Sequence, residues 1–129
     1  MAQIKSYDTF QNVKDHVKRG RLLSKGASLT IASDVITVTD SYHAVAVESG
    51  SSDNLKTINS SQAAQAGQLL VLQAAADDKD IVLVKRAGGV GNISMAADIT
   101  LAEAQDTVTL IWNGTYWNLL ASATTATPS

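Results

Sequence analysis

Polar and apolar residues alternate along most of this chain with a period of two. Ser28-Leu29-Thr30-Ile31, Asp34-Val35-Ile36-Thr37-Val38-Thr39 and Tyr42-His43-Ala44-Val45-Ala46-Val47-Glu48 each set apolar residues at every second position. That is the pattern of strands with one buried face, and β-branched residues suit it. Three such runs in close succession predict a meander or Greek-key layout. Gly50-Ser51-Ser52-Asp53-Asn54 reads as a loop and Leu55-Lys56-Thr57-Ile58 as a short strand. Asn59 to Ala66 reads as a loop or one loose turn. Gly67-Gln68-Leu69-Leu70-Val71-Leu72-Gln73 is nearly continuously apolar, which predicts a central strand buried on both faces. Further strands are expected at Ile81-Val82-Leu83-Val84 and Asp98-Ile99-Thr100-Leu101. Thr107 to Trp112 and Thr115 to Leu120 flank Asn113-Gly114, which predicts a hairpin with a two-residue type I′ turn.

The first 26 residues follow a different rule. Phe10, Val13 and Val17 recur at helical spacing between Ser6 and Arg19, with Gly20 as a stop. The stripe is narrow, so the segment is expected to order, as helix or extended arm, only against another surface. The expected organisation is a basic arm over residues 1–26, a β domain over 27–121 and a disordered tail over 122–129. The fold class is all-β, an antiparallel β-sandwich or partly open barrel of jelly-roll or tulip-like type. No repeat of fixed period stands out.

Charge sharpens this division. Residues 1–26 carry six basic and two acidic residues, net +4, whereas the remainder carries four basic and ten acidic residues, net −6. The two parts therefore face different partners, or each other. At 129 residues the chain fits one domain. Hydrophobic residues make up 45% of it and aromatic ones only 5%, so the core must be aliphatic and thin. Burial of a strand face against neighbouring subunits would help to stabilise such a core. The sequence has no cysteine, which excludes disulfides, thiolate zinc sites and thiol catalysis. No apolar run reaches the length of a membrane span, and Met1 to Gly20 lacks the apolar centre of a signal peptide. The expectation is synthesis in the cytosol, with export only inside a larger assembly, and no membrane partner.

Candidate chemistry is sparse. His16 and His43 lie in different units without a nearby second ligand, so no metal site is expected. Asp40, Ser41 and His43 are too close in sequence to converge as a catalytic set. Gly88-Gly89-Val90-Gly91-Asn92 lacks the partners of a phosphate loop and reads as a turn. Asp77, Asp78 and Asp80 lack the spacing of a calcium loop and read as a solvated turn. Trp112, Tyr116 and Trp117 suit either a sugar-stacking platform or cross-strand core packing, and core packing is favoured. For the arm, docking on an acidic protein surface through Phe10, Val13, Lys14, Val17, Lys18, Arg19 and Arg21 is favoured over phosphate contacts to nucleic acid.

A series of short motifs runs from Asp53 to Trp117. It comprises Asn54-Leu55-Lys56-Thr57-Ile58, Gly67-Gln68-Leu69-Leu70-Val71-Leu72, Ile81-Val82-Leu83-Val84-Lys85, Gly91-Asn92-Ile93, Leu101, Asp106-Thr107-Val108-Thr109-Leu110-Ile111 and Gly114-Thr115-Tyr116-Trp117. In order and spacing the series resembles a β domain recurrent in structural proteins of tailed bacteriophages. The resemblance covers half of the chain, stops short of the arm and brings no catalytic residues. It implies a virion component without enzymatic activity or cofactor: a capsid decoration (cement) protein, a head fibre, or part of a tail fibre or spike. Such proteins are usually homotrimers. The expected partners are other copies of the chain and the major capsid protein or another virion protein. The expected location is the virion, assembled in the host cytoplasm.

Overall fold

The computed structural model describes residues 23–125. They form eleven strands: β1 (Leu29–Thr30), β2 (Val35–Val38), β3 (Tyr42–Ala46), β4 (Ser52–Leu55), β5 (Thr57–Ser60), β6 (Leu69–Ala74), β7 (Asp80–Leu83), β8 (Ile93–Ser94), β9 (Ile99–Leu101), β10 (Thr107–Trp112) and β11 (Trp117–Ala123). There is no helix among these residues. The arm's stripe from Ser6 to Arg19 lies outside them.

The strands stack as a short β-solenoid of about three turns. One face is a sheet in the order β1-β3-β6-β10-β11-β8, a second pairs β2 with β5, and a third has the order β4-β7-β9. The chain visits these faces in rotation. Hence β3 lies parallel to β1 and β6, β5 parallel to β2, and β7 parallel to β4. After β8 the direction reverses, so that β9 runs antiparallel to β7, and β10 antiparallel to both β6 and β11. This reversed coil caps the stack.

The expected antiparallel sandwich or barrel is therefore replaced by coils that are mostly parallel. The reason lies at the corners. Ser33 and Asp34, at φ of 51° and 67°, make a tight turn closed by an antiparallel bridge between Ala32 and Val35, but the pairing stops there and β2 runs on along the next face. The Asp34 carbonyl then accepts hydrogen bonds from the Lys56 and Thr57 amides of the following coil, at 2.8 and 3.2 Å. The expected loop over residues 50–54 contains β4. Its polar residues are stabilised by pairing with β7, from Ser52 opposite Asp80 to Leu55 opposite Leu83. The final strand runs through Ala123, and the Thr125 amide and hydroxyl both donate to Asp106.

Inward residues of successive coils fall in register. Ile36 lies opposite Ile58, Leu55 opposite Leu83, Ile81 opposite Leu101, and Leu70 opposite Leu110. All are buried in one aliphatic cluster, in which Trp117 is the one fully buried large ring among the described residues. Contacts of this kind stabilise through the apolar area that they remove from water.

The joint between the stack and its cap is Asn92. Its side chain accepts from the Ile58 amide (2.9 Å) and donates to the Ile58 carbonyl (2.8 Å), so it pairs with β5 as a strand residue would. Its backbone amide donates to the Lys56 carbonyl (3.2 Å), and its carbonyl accepts from the Trp117 amide (2.8 Å). Gly91 makes this approach feasible: its φ is +85°, and a Cβ there would lie 2.7 Å from the Lys56 oxygen. Replacing Asn92 by Ala strands the buried Ile58 amide and should lower stability by about 2–3 kcal/mol in urea unfolding. Asn92→Asp, which keeps the acceptor and loses the donor, should fall between the two.

Candidate functional site

The β10–β11 hairpin forms as its sequence predicts, with Trp112 opposite Trp117, but its turn differs. Residues 113–116 make a four-residue connection in which only Gly114 has positive φ, at +102°. A type I′ turn would need Asn113 there as well. Instead, the Asn113 side-chain oxygen accepts from the amides of Thr115 (2.7 Å) and Tyr116 (2.8 Å), an Asx turn that fixes a wider loop.

This turn sets the three aromatic rings in different roles. Trp117 is buried, its indole nitrogen donating to the Ile58 carbonyl at 3.3 Å. Trp112 packs against it with centroids 5.2 Å apart and planes tilted by 57°. The Tyr116 ring is covered by the Arg86 guanidinium, 4.1 Å from its centroid. Core packing accounts for Trp117, and a cation occupies the face of Tyr116. Trp112, half-buried, and Trp117 behind it both line a cleft of about 160 Å³, together with Ile58, Asn59, Ser60, Ala64 and Asn92. A larger, polar cleft of about 280 Å³ lies beside it, between Thr39-Asp40 and the loop bearing Gln62, Gln65 and Gln68. Ser60 and Ala63 line both clefts, so the two adjoin. Amides, hydroxyls and one partly open indole suit a neutral, hydroxyl-rich ligand.

His43 is fully buried on the inward side of β3. Its Nε2 accepts from the Thr39 and Asp40 amides, at 3.1 and 3.0 Å, which requires the proton to sit on Nδ1. Nδ1 donates to the Ala27 carbonyl at 2.7 Å. The ring thus ties the chain entering β1 to the turn before β3. Gly26 lies against it, its amide donating to the Tyr42 carbonyl (2.7 Å), and a methyl group at Gly26 would overlap the His43 ring and the Asp40 carboxylate. Asp40 accepts from the hydroxyls of Ser24 (3.1 Å) and Thr39 (2.9 Å), and the Ser41 hydroxyl pairs with the Ser24 backbone. Asp40, Ser41 and His43 therefore do not assemble as a triad. The arm residues Phe10, Val13, Lys14, Val17, Lys18, Arg19 and Arg21, like His16, lie outside the described residues.

The acidic turns carry structural contacts. Asp77 accepts from the Ala104 amide (2.9 Å), and Lys79 reaches the Gly50 carbonyl (3.0 Å). A hydrogen bond with Asp77, then burial and neighbouring carboxylates, pushes the Glu103 carboxyl above its ordinary pKa. No group of three or more His, Cys, Asp or Glu among the described residues is placed to hold a metal ion. Gly88 and Gly89, both at positive φ, form the expected turn, closed by a bridge between Ala87 and Val90.

His43, Asn92 and Asp106 were not singled out as polar joints by the sequence. Only Asn92 carried a usable signal, its place after Gly91 at the end of a turn.

Comparison with protein-family models, curated proteins and solved structures finds no match to this chain. No helix among the described residues is long and apolar enough to cross a membrane.

Asp106 is fully buried. Burial opposes its charge, but hydrogen bonds from the Ala102 amide, the Thr125 hydroxyl and amide, and the Glu103 amide outweigh it and hold the carboxyl below its ordinary pKa. A depressed folded-state pKa stabilises fully above the unfolded value of about 3.9, and the contribution disappears as pH falls through the folded value. Thermal denaturation across the acid range should therefore show wild type losing more stability below about pH 4 than Asp106→Asn, which starts less stable at neutral pH.

Proposed function

We propose that this chain is a structural protein of a bacteriophage particle, acting as a capsid decoration (cement) protein. Its β domain self-associates, as a homotrimer, and its N-terminal segment docks on the shell, where the major capsid protein is the partner. The reading places no chemistry on the chain and makes the virion its location.

The observation that carries this reading is where the basic segment joins the stack. β1 and β11 lie toward opposite ends of the main sheet, and the segment enters at β1. Among the described residues, β1 and β2 have no strand on their outer edges. The +4 segment therefore leaves from the pole away from the reversed cap, at a junction pinned by His43, Gly26 and Ser24. Such a geometry suits a rigid body tethered at one end. The motif series that resembles virion β domains also holds this body together, through Asn92 on β5, Gly91 against Lys56, and the Trp117 indole on Ile58.

One feature supports a second reading, a tail-fibre, spike or head-fibre component that binds host-surface glycan. Trp112 is half-exposed beside Asn59, Ser60 and Asn92, with the glutamine-rich cleft continuing past it.

Reversing Lys14, Lys18, Arg19 and Arg21 to Glu in the full chain should leave β-sheet circular dichroism and solution mass intact while abolishing co-sedimentation with undecorated particles. Full binding by this variant would refute arm-mediated docking. On a glycan array, signal that is lost in Trp112→Ala would favour the fibre reading.

A further inference from the structure

The outward face of the main sheet has an unusual composition. Strands β1, β3, β6, β10 and β11 contain no Asp, Glu, Lys or Arg. Their register aligns the outward side chains in rows. One row runs Tyr42, Val71, Thr109, Ala121, and the next runs Ala44, Gln73, Thr107, Ala123. Leu69 and Ile111 extend the face at one end, and Leu120 emerges beside it at a bulge, 55% exposed. The side chains are small or flat, and the face is broad. Four strands at about 4.8 Å spacing, each some five residues long at about 3.3 Å, make roughly 300 Å² in projection. The largest apolar patch on an ordinary monomer is of about this size and is often functional. Polar residues ring it here: Glu48, Asp77 and Glu103 in the turns beyond the strand ends, with Lys25 over the Tyr42 ring, 5.6 Å from its centroid.

Two of the polar side chains within the face are already paired. The Tyr42 hydroxyl donates to the Gln73 side-chain oxygen, and the Gln73 amide donates to the Ala104 carbonyl. Covering this pair costs less than burying unpaired polar groups would. Strand β6 gives a separate indication. Its residues Leu69-Leu70-Val71-Leu72 are apolar on both sides, the pattern of a strand with two buried faces. Among the described residues, Leu70, Leu72 and Ala74 of this strand are buried, while Leu69, Val71 and Gln73 remain half-exposed. The sequence of the strand thus encodes a cover that the described residues do not supply.

We propose that this cover is the same face of the other copies of the chain, the uncharged sheets of three copies converging on a common axis. The inference rests on the self-association in the function proposed above and assigns it to one surface. Charge selects the occupant. Residues 27–129 carry a net −6, so two copies meeting through their turns or through the β4-β7-β9 sheet, which bears Asp53 and Asp80, would set like charges against each other. The β1-β3-β6-β10-β11 face offers a broad contact between identical copies without that repulsion. Its backbone groups are engaged in the sheet across β3, β6 and β10, so contact is by side-chain packing of sheet on sheet rather than by strand addition.

The test is sedimentation velocity of the full chain at micromolar concentration. Wild type should sediment as an oligomer. Val71→Glu, and separately Thr109→Lys, should weaken self-association about a hundredfold or more and give monomers with unchanged β-sheet circular dichroism. Val82→Glu, outward on the β4-β7-β9 sheet, should keep the wild-type mass. Mixing Val71→Glu with Thr109→Lys should restore a complex. A monomeric wild type would overturn both this inference and the self-association that it rests on. An oligomeric wild type whose mass survives both face variants would overturn the face assignment alone. Should Val71→Glu fail to fold, Thr109→Lys at the more polar neighbouring position decides.

Discussion

The structure depends on coils of one chain holding the same register face by face, and the pair of hydrogen bonds between the Asn92 side chain and Ile58 is where that register is carried past its last regular strand. On two faces, the third coil supplies β6 and β7 to continue the ladders from β3 and β4. On the face of β2 and β5 it supplies one asparagine. That single side chain satisfies both backbone groups of Ile58, while its own backbone reaches Lys56 on one side and Trp117 on the other. The reversed cap is thereby locked to the stack. Without it, the aliphatic core under β5 would lose the wall formed by Trp117 and Ile93.

A thin aliphatic core imposes a second constraint. With one fully buried large ring among the described residues, the interior derives its cohesion from Val, Ile and Leu stacked in register, and errors of register would place polar residues inside. The polar joints guard against this at the points where the chain changes direction. His43 fixes the entry to the first coil, Asn92 the exit from the third, and Asp106 the approach to β10 together with the end of β11. Each satisfies several backbone amides or carbonyls that a corner would otherwise leave without partners.

Strand positions were legible in the sequence wherever alternation was regular, as in β2, β3, β6 and β10. β4 was hidden because Ser52, Asp53 and Asn54 are polar and owe their extended form to pairing with β7. Parallel stacking was hidden for a different reason. Partners lie 16 residues apart at Leu29 and Val45, 22 apart at Val35 and Thr57, and 28 apart at Ser52 and Asp80. Coils of such unequal length leave no fixed period to detect. The hairpin was read correctly, but its turn was not, since Asn113 acts through its side chain rather than through positive φ. Of the candidate aromatic site, the core role of Trp117 followed from cross-strand pairing. The cover that Arg86 places on Tyr116 comes from a loop distant in sequence and carried no local signal.

The division between a basic segment and an acidic body acquires a direction from the fold. The segment enters at the pole of β1, the reversed cap closes the opposite pole, and the uncharged sheet face runs between them. In the proposed function, a tethered and self-associating body would have a defined orientation on the shell. Cryo-electron microscopy of decorated particles measures that orientation directly. The account predicts density for each β domain with the β1–β2 pole toward the shell and the β9–β11 cap outward. Density with the cap against the shell, or particles that carry no such domain, would contradict it.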